Sequence, residues 1–444
     1  MNNTQEVLTE LKKTHQKLRS LVTTLSDDEL AIPYHPGVNP PIWEIGHVAF
    51  FYEEFILKLL DGQTESFDPS MDDIWDSFNI DHKDRWQEGV IPSKETTLHY
   101  VDTIHQRVLS RVEDRDLTQQ ELYLYKYAIF HQNMHIESLI WARHTSAYQK
   151  MSFENTPPVI PLESKTCSGD ALVPAGKYLI GMPADSTNYA GRDFAFDNEK
   201  PCFEVELEAF EISKTLVSNQ EFLDFVEDGG YQNDDFWSFG GKKWLKTLKN
   251  HAVPPNEDLK LPQHPIYWKQ EDGLWKERLF NEWLPLEKDY PVTHVNYWEV
   301  EAYCNWAKRR LPTEFEWEAA ALANKKGEPL RLYPWGNTMD ADKVDMDGLH
   351  MAQVPVSAYP AGDSPFGCRQ MLGTVWEWTS SQYLPYDGFK MDMYVYMSTL
   401  QFGYHKTTKG GSCATSSILI RGSYRQAYFP TRTDVYVGFR TCAL

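Results

Sequence analysis

Residues 311–321 read LPTEFEWEAAA and residues 371–381 read MLGTVWEWTSS, and these two stretches carry the strongest fold signal in the chain. We predict a helix from Thr313 to Ala323, and the alternation of Trp376 and Trp378 is typical of a strand. Farther on lie KGGSCAT (409–415) and VGFRTC (437–442), in which Arg440 can tie a terminal strand to a buried carboxylate. None of these segments contains a nucleophile–base pair or a phosphate-cradling loop, so a structural role accounts for most of them.

The residues around these motifs alternate between short strand-like segments and turns. GDALVPAGKYLIGM (169–182), CFEVELEAFEISKTLVSN (202–219) and PVTHVNYWE (291–299) are β-branched or alternating, with Gly, Pro, Asn and Asp between them. Residues 229–287 are dense in Trp and Lys and are typical of an insertion. We therefore predict a loop-rich mixed α/β domain over residues 171–444.

The first 150 residues have a helical pattern instead. Residues 5–30 carry leucines and valines at spacings of three and four, and IWEIGHVAFFYEEFILKLLDG (42–62) is apolar nearly all round. Two further helices are predicted over 94–115 and 118–148. The pattern predicts a four-helix bundle over 1–150, a Pro-rich linker over 151–170 and an α+β fold class for the whole chain.

Composition excludes several classes of protein. The chain has 444 residues, 41% of them hydrophobic, so two or three folded domains are expected. Its formal charge of −21 makes nucleic acid an unlikely partner. The six cysteines form no CxxC pair, and no run approaches the 18 apolar residues of a membrane span. Because the first thirty residues also lack the apolar core of a secretion signal, we expect a cytoplasmic protein without a membrane partner.

Three histidines are candidate metal ligands. His131 and His135 are four residues apart and share one face of a predicted helix, and His47 lies in the apolar helix of 42–62. Each has an ordinary alternative, because such histidines are more often polar or satisfied core residues than ligands. In a bundle, however, inward side chains on facing helices can build a three-imidazole site. Glu137 is either a structural hydrogen-bond or salt-bridge partner or a residue that orients a metal ligand from behind.

PWGN (334–337) and GGSCAT (410–415) also lie among the motifs of the second half. Together these motifs resemble the formylglycine-generating-enzyme fold, a relative of the C-type lectin fold. The bundle, with His47 after Gly46 and the HxxxHxE pattern of 131–137, resembles the DinB-type metal-binding domain. This fusion is the architecture of the ergothioneine sulfoxide synthase (EgtB) family. The resemblance implies that His47, His131 and His135 hold Fe(II). It also implies O2-dependent joining of a donor's sulfur to C2 of the imidazole of hercynine, N-trimethylhistidine.

The resemblance also assigns substrate residues, and here the chain departs from the best-known pattern. The family segment whose arginines bind γ-glutamylcysteine aligns with DSFNIDHKDRW (76–86), which offers Arg85 and places His82 where another arginine is expected. Gln426 could hydrogen-bond an imidazole or carboxylate, and Tyr428 could face a trimethylammonium group. The donor is therefore expected to be cysteine or a selenosugar. NPPIWEIGH (39–47), DSFNIDHKDRW and VGFRTCAL (437–444) resemble the selenoneine synthase (SenA) branch of the family, whose members use a selenosugar.

The family uses a tyrosine as proton donor, and the matching loop here is FKMDMYVYMSTLQFGYHK (389–406). Tyr394 or Tyr396 is the candidate, although a packing role is about equally expected for each. Trp378 and Phe402 would line a water-free pocket. Cys413 and Cys442 do not follow the paired pattern of formylglycine-generating enzymes, and we interpret both as structural.

Two hypotheses of other classes stay open at this point. The lectin-like half could recognise a small molecule without catalysis, with the bundle as its scaffold. Alternatively, the bundle's metal could act as a Lewis acid in a thiol transferase that needs no O2.

Overall fold

We analysed a computed structural model, which describes residues 3–62, 65–113, 115–151, 153, 166–185, 194–250 and 262–444. The chain divides into two units, Met1–Gln149 with Asp185–Phe194, and Lys150–Ala184 with Ala195–Leu444. The domain limits of 1–150, 151–170 and 171–444 stay predictions, and most of the proposed linker lies outside the described residues.

The first unit is helical. Its helices are α1 (Asn3–Thr23), α2 (Asp27–Leu30), α3 (Pro41–Tyr52), α4 (Leu59–Asp61), α5 (Asp72–Trp75), α6 (Lys94–Val112) and α7 (Gln119–Thr145). Buried side chains at three- and four-residue spacing, such as Val7, Leu11, Thr14 and Leu18, give α1 its inward face. Helix α1 packs on α7, and α3 packs on both α6 and α7.

Capping residues explain where the long predicted helices divide. Ser26 and Glu29 form a reciprocal capping box, so a separate helix α2 begins within the predicted span of 5–30. The predicted helix of 42–62 begins at Pro41 and has its C-cap at Gly62, whose φ of 62° suits glycine. Between these ends, Glu53–Lys58 is wound as a π-helix. In the described part of the chain, no helix has the length and apolar character needed to cross a membrane.

The second unit combines short strands with a few helices, which confirms the predicted α+β class. Its helices are α8 (Asn219–Glu227), α9 (Phe239–Asn250), α10 (Tyr297–Ala307) and α11 (Glu314–Leu322). Its strands are β1 (Asp170–Val173), β2 (Gly176–Ile180), β3 (Phe203–Leu207), β4 (Phe210–Ser213), β5 (Trp268–Glu271), β6 (Leu274–Leu279), β7 (Glu282–Pro285), β8 (Trp376–Gln382), β9 (Lys406–Lys409), β10 (Arg425–Tyr428) and β11 (Val437–Gly438).

The central sheet of this unit has the strand order β10-β9-β8-β11. Strand β9 is antiparallel to both β8 and β10, whereas β11 runs parallel to β8. The first four residues of β8 are all buried, and on its polar side the carboxylate of Glu377 is paired with Arg440. Strands β5, β6 and β7 form an antiparallel meander inside the predicted insertion of 229–287.

Among the described residues, four buried ion pairs join distant segments of this unit. A carboxylate that is removed from water requires a matching cation and hydrogen bonds, and each of these pairs supplies both. The pairs are Lys409–Glu318 (2.8 Å), Arg425–Glu314 (2.8 Å), Arg440–Glu377 (2.7 Å) and Arg421–Glu199. The Arg440–Glu377 pair confirms the predicted link from the terminal segment to a buried carboxylate. Arg440 also donates to the carbonyl of Arg369.

Replacing Arg440 with Met should strand the buried carboxylate of Glu377 and lower the free energy of unfolding by about 3–5 kcal/mol. The measurement is urea unfolding of the full chain. Lys177→Met is the matched control, because the Lys177–Glu204 pair is exposed and its loss should leave the transition unchanged. Equal losses in the two variants would contradict the importance of the buried pair.

Candidate metal centre

His47 lies in the middle of α3, a helix that is buried almost all round. Its sequence, PIWEIGHVAFFY, begins with a proline at the first helical position, where the missing N–H is not needed. Apolar neighbours such as Ile45 and Val48 fix the helix in the interior. His47 is only 5% exposed, so its imidazole is held away from bulk water.

His131 and His135 lie one turn apart on α7. This helix begins with a capping box, in which Thr118 accepts from the backbone of Glu121 and the Glu121 carboxylate accepts in return. Nearly every residue of its middle is buried, including polar Gln132. His131 is 5% exposed and His135 is half-buried.

The three imidazoles converge. One ring nitrogen from each of His47, His131 and His135 lies within 4.8 Å of the other two. The Nε2 atoms of His131 and His135 are 3.2 Å apart. Two nitrogen ligands at right angles on an ion with bonds of about 2.1 Å lie about 3 Å apart, so this separation suits adjacent positions on one metal.

Two hydrogen bonds from the far side of the rings fix their orientation. The Nδ1 of His47 donates to the carbonyl of Trp75 at 2.7 Å, and the Nδ1 of His135 donates to Oε1 of Glu44 at 2.8 Å. Trp75 ends the short helix α5, where carbonyls have no partner within the helix. Both bonds leave Nε2 as the ring nitrogen with a lone pair, which is the arrangement that metal-binding histidines require.

Burial favours the uncharged form of the His47 and His131 rings. Burial, with a smaller contribution from the neighbouring His135, lowers the pKa of His47 to about 3. Burial also lowers the pKa of His131 well below its usual value. Neutral imidazole is the form that binds a metal, so a cation can be accepted near neutral pH without first displacing protons from these two rings.

A glycine makes the bond to Trp75 possible. A Cβ atom at Gly46 would lie 2.5 Å from the indole ring of Trp75, so only glycine lets this ring pack directly on α3. The close approach brings the Trp75 carbonyl within reach of His47 in the next position of the helix.

Aromatic side chains cover the imidazoles. Trp43 stacks on His47 with ring centroids 5.0 Å apart, and Phe51 stacks on His131 at 3.9 Å. Trp43 is itself fixed, since its Nε1 donates to the carbonyl of Ile74 at 2.7 Å. These flat apolar faces limit the directions from which water or a ligand can approach the cluster.

The π-helical turn after α3 adds a buried acid near the cluster's helix. Glu53 is 1% exposed and accepts from the hydroxyl of Tyr100 at 2.7 Å and from the backbone N–H of Phe67 at 2.5 Å. Single π-helical turns are frequent at functional sites, since they re-aim side chains along a helix. Here the turn directs a carboxylate into the interior.

The predicted donor-binding residues of the first unit are engaged in local contacts. Arg85 lies over the ring of Trp43 at 3.5 Å and donates to the Asn39 side chain at 2.6 Å. Burial lowers the pKa of Arg85 to about 10. His82 bonds the carbonyl of Val38 through Nε2 at 2.9 Å.

Three predicted substrate residues lie in the central sheet of the second unit. Trp378 is fully buried and donates through Nε1 to the carbonyl of Val295 at 2.9 Å. Gln426 donates to the hydroxyl of Tyr424 at 2.9 Å, and Tyr428 lies edge-on to Trp378 at 6.4 Å.

The remaining predicted residues lie in the connection between β8 and β9. Phe402 stacks on Tyr383 with centroids 5.1 Å apart. Tyr394 is half-buried and precedes a short 3₁₀ turn, Val395–Met397. The side chain of Tyr396 is outside the described part of the chain.

The residues around the histidines fit a divalent transition metal. Three imidazole nitrogen donors, two of them on rings oriented by hydrogen bonds, leave open positions on an ion. Oε2 of Glu44 is buried and has no hydrogen-bond partner among the described residues. A cation bound at the cluster would stabilise this buried carboxylate. Glu44 and Trp75 were not identified from the sequence. In the sequence, the feature that points to Glu44 is its position about one helical turn before His47, within WEIGH (43–47).

Fold and site together define a class of fusion proteins, as comparison with known families shows. Residues 10–139 match the DinB superfamily. Residues 157–443 match the family described as sulfatase-modifying factor enzyme 1-like domain. The chain therefore joins a DinB-like helical region to a domain of the formylglycine-generating-enzyme type.

Full-length relatives identify the particular family. The hercynine oxygenase of Mycolicibacterium smegmatis is 30% identical over 93% of this chain and 93% of its own length. That of Mycobacterium tuberculosis is 30% identical over 99% of each chain. The formylglycine-generating enzyme of Thermomonospora curvata is 29% identical over 60% of this chain and 93% of its own length. The chain belongs to the hercynine oxygenase (EgtB) family, which confirms the family predicted from the motifs.

Replacing Gly46 with Ala should force the Trp75 ring away from α3. Overpacking of this kind costs about 1–3 kcal/mol, although Ala normally stabilises a helix by about 1 kcal/mol relative to Gly. Because the Trp75 carbonyl would leave His47, affinity for a divalent ion should also fall about tenfold or more. The measurements are urea unfolding and titration with Fe(II) under anaerobic conditions.

Gly62→Ala is the matched control. It places a side chain at a φ of 62° with nothing within 4 Å, so it should destabilise the helix end by about 1–2 kcal/mol without changing metal affinity. Unchanged affinity in both variants would contradict the proposed role of the Trp75 contact.

Proposed function

We propose that this protein is an Fe(II)- and O2-dependent synthase that joins the sulfur or selenium of a small donor molecule to C2 of the imidazole of hercynine. The single observation that carries the proposal is the three-imidazole cluster inside the DinB-like unit of a chain from the hercynine oxygenase family. In balanced form, one thiol, one imidazole C–H and one O2 give one sulfoxide and one water.

His47, His131 and His135 are the proposed iron ligands. Bound Fe(II) would supply open positions at which a donor and O2 meet, which is the chemistry expected of a three-nitrogen site. The chain's own contribution is orientation, since Trp75 and Glu44 hold two of the ligands from behind. Trp43 and Phe51 exclude water from the faces of the rings.

The second unit is proposed to bind hercynine and to supply the proton. Tyr428 offers an aromatic face for a trimethylammonium group, and Gln426 offers an amide for the imidazole or carboxylate. Trp378 and Phe402 are proposed as apolar walls. Tyr394 or Tyr396 is the proposed proton donor, which favours bond formation over simple oxidation of the thiol.

The contacts of Arg85 support a donor other than γ-glutamylcysteine. That dipeptide carries two carboxylates, which usually call for bidentate arginine recognition. Here residues 76–86 supply a single arginine, Arg85, which bonds Asn39 through one nitrogen and stacks on Trp43, and His82 stands where a second arginine is expected. Cysteine or a selenosugar is the proposed donor, and the selenosugar would make the enzyme a selenoneine synthase.

The two other hypotheses predict different results for turnover and O2 consumption. A small-molecule binding module would not turn over, and a Lewis-acid thiol transferase would not consume O2. Family membership together with the metal-competent cluster favours the O2-dependent synthase. The expected cytoplasmic location and the expected lack of nucleic-acid and membrane partners stay predictions.

Replacing His47, His131 or His135 with Ala should lower iron affinity and activity by at least about tenfold, because each removes one of three ligands. Iron content after anaerobic reconstitution is the measurement. His99→Ala is the control, because it removes an exposed imidazole of the same unit and should leave iron at about one per chain. Full iron occupancy in all three ligand variants would exclude the assignment.

The proposed reaction is tested by adding O2, hercynine and one donor at a time to the reconstituted protein, followed by mass spectrometry. Cysteine, γ-glutamylcysteine and a selenosugar are compared at saturating hercynine. We expect coupled product, with the highest kcat/KM for cysteine or the selenosugar. Product without O2 consumption would favour the transferase, and no product from any donor would favour the binding module. A highest kcat/KM for γ-glutamylcysteine would contradict the interpretation of Arg85.

A further inference from the structure

A buried 3₁₀ turn, Asp197–Glu199, anchors several segments of the second unit. All three residues are 1% exposed or less. The carbonyl of Asn198 accepts from Arg425 at 2.5 Å, and Glu199 pairs with Arg421 and accepts from the hydroxyl of Ser423 at 2.7 Å. The turn is therefore fixed by two buried arginines, and Asp197 is held on a rigid support.

The two oxygens of the Asp197 carboxylate bind the two ends of one short segment. Oδ1 accepts from the hydroxyl of Ser398 at 2.6 Å, and Oδ2 accepts from the backbone N–H of Asp392 at 3.3 Å. Asp197 and Ser398 are both fully buried. Tyr394 and Tyr396 lie between the two attachment points.

The segment between these points has little regular structure to fix it. It contains the 3₁₀ turn Val395–Met397, closed by a bond from the N–H of Met397 to the carbonyl of Tyr394. Such a connection is set by a few specific bonds, and a hydrogen bond to a buried carboxylate is among the stronger ones. Lys200 adds a weaker ion pair to Asp392 at 3.7 Å.

We propose that Asp197 is a positioning residue of the synthase: by accepting hydrogen bonds from Asp392 and Ser398, it fixes the position of the tyrosine that delivers the proton. The inference rests on the proposed function, because it matters for catalysis only if one of these tyrosines takes part. A carboxylate that merely stabilised the fold would affect unfolding and not the ratio of products.

The test compares Asp197→Ala and Ser398→Ala with the unchanged enzyme. Ser423→Ala is the matched control, because it removes the same kind of serine–carboxylate bond from the same turn without touching the 392–398 segment. The first readout is trypsin cleavage after the exposed Lys390, measured by peptide mass. The second is the ratio of coupled sulfoxide to donor sulfinate, which forms from one thiol and one O2. Iron content is recorded for every variant.

We expect both test variants to be cleaved after Lys390 about tenfold faster or more, since each loses a hydrogen bond to a charged group. Sulfinate should rise at the expense of sulfoxide while iron content stays unchanged. Ser423→Ala should change neither readout. Tyr394→Phe and Tyr396→Phe are run alongside, and the variant that removes the proton donor should shift the products in the same direction without faster cleavage.

Other outcomes overturn the inference in distinguishable ways. Unchanged cleavage in Asp197→Ala would show that the carboxylate does not hold the segment. Faster cleavage with an unchanged product ratio would show that the held segment has no part in the reaction. If the unchanged enzyme forms no coupled product, the proposed function fails and the catalytic role of Asp197 with it. The cleavage rates would then still show whether Asp197 holds residues 392–398 in place.

Discussion

The contact between Trp75 and α3 at Gly46 is the constraint on which the candidate metal centre depends. A buried imidazole can present one nitrogen to an ion only if its other nitrogen is satisfied, and for His47 the partner is the carbonyl of Trp75. That carbonyl is available because α5 ends there, and it is close enough because residue 46 has no side chain. The orientation of the His47 ring thus depends on the absence of a Cβ atom at Gly46.

The second unit solves a different problem, which is how to hold a domain with many loops. Its motif residues are occupied in buried ion pairs, as Glu314 is with Arg425 and Glu377 with Arg440. Each acid neutralises a buried arginine that comes from a distant part of the chain, so a structural role accounts for it. The motifs therefore identify the fold.

The sequence predicted those parts of the protein that follow a helical or strand period. His131 and His135 were found because four residues make about one helical turn, and the fold class followed from the contrast between long helical patterns and short strands. The partners behind the ligands could not be found in this way. Trp75 is 28 residues from His47, and Glu44 is 91 residues from His135, so their bonds depend on tertiary packing. The π-helical turn at Glu53 was missed because a local period cannot show one inserted residue.

The two units meet different physical demands. Metal ligands must be dry, neutral and immobile, and rigid helices with stacked aromatic rings provide these conditions. A proton donor must be placed with equal accuracy but must also be able to exchange its proton, which a fully buried helix would prevent. If Tyr394 is the proton donor of the proposed synthase, its half-buried position on a connection held at both ends would meet both requirements. Both partners of Asp197, the Ser398 hydroxyl and the Asp392 N–H, are donors, so a carboxylate can bind one with each of its acceptor oxygens, whereas an asparagine amide would turn an NH2 donor toward one of them.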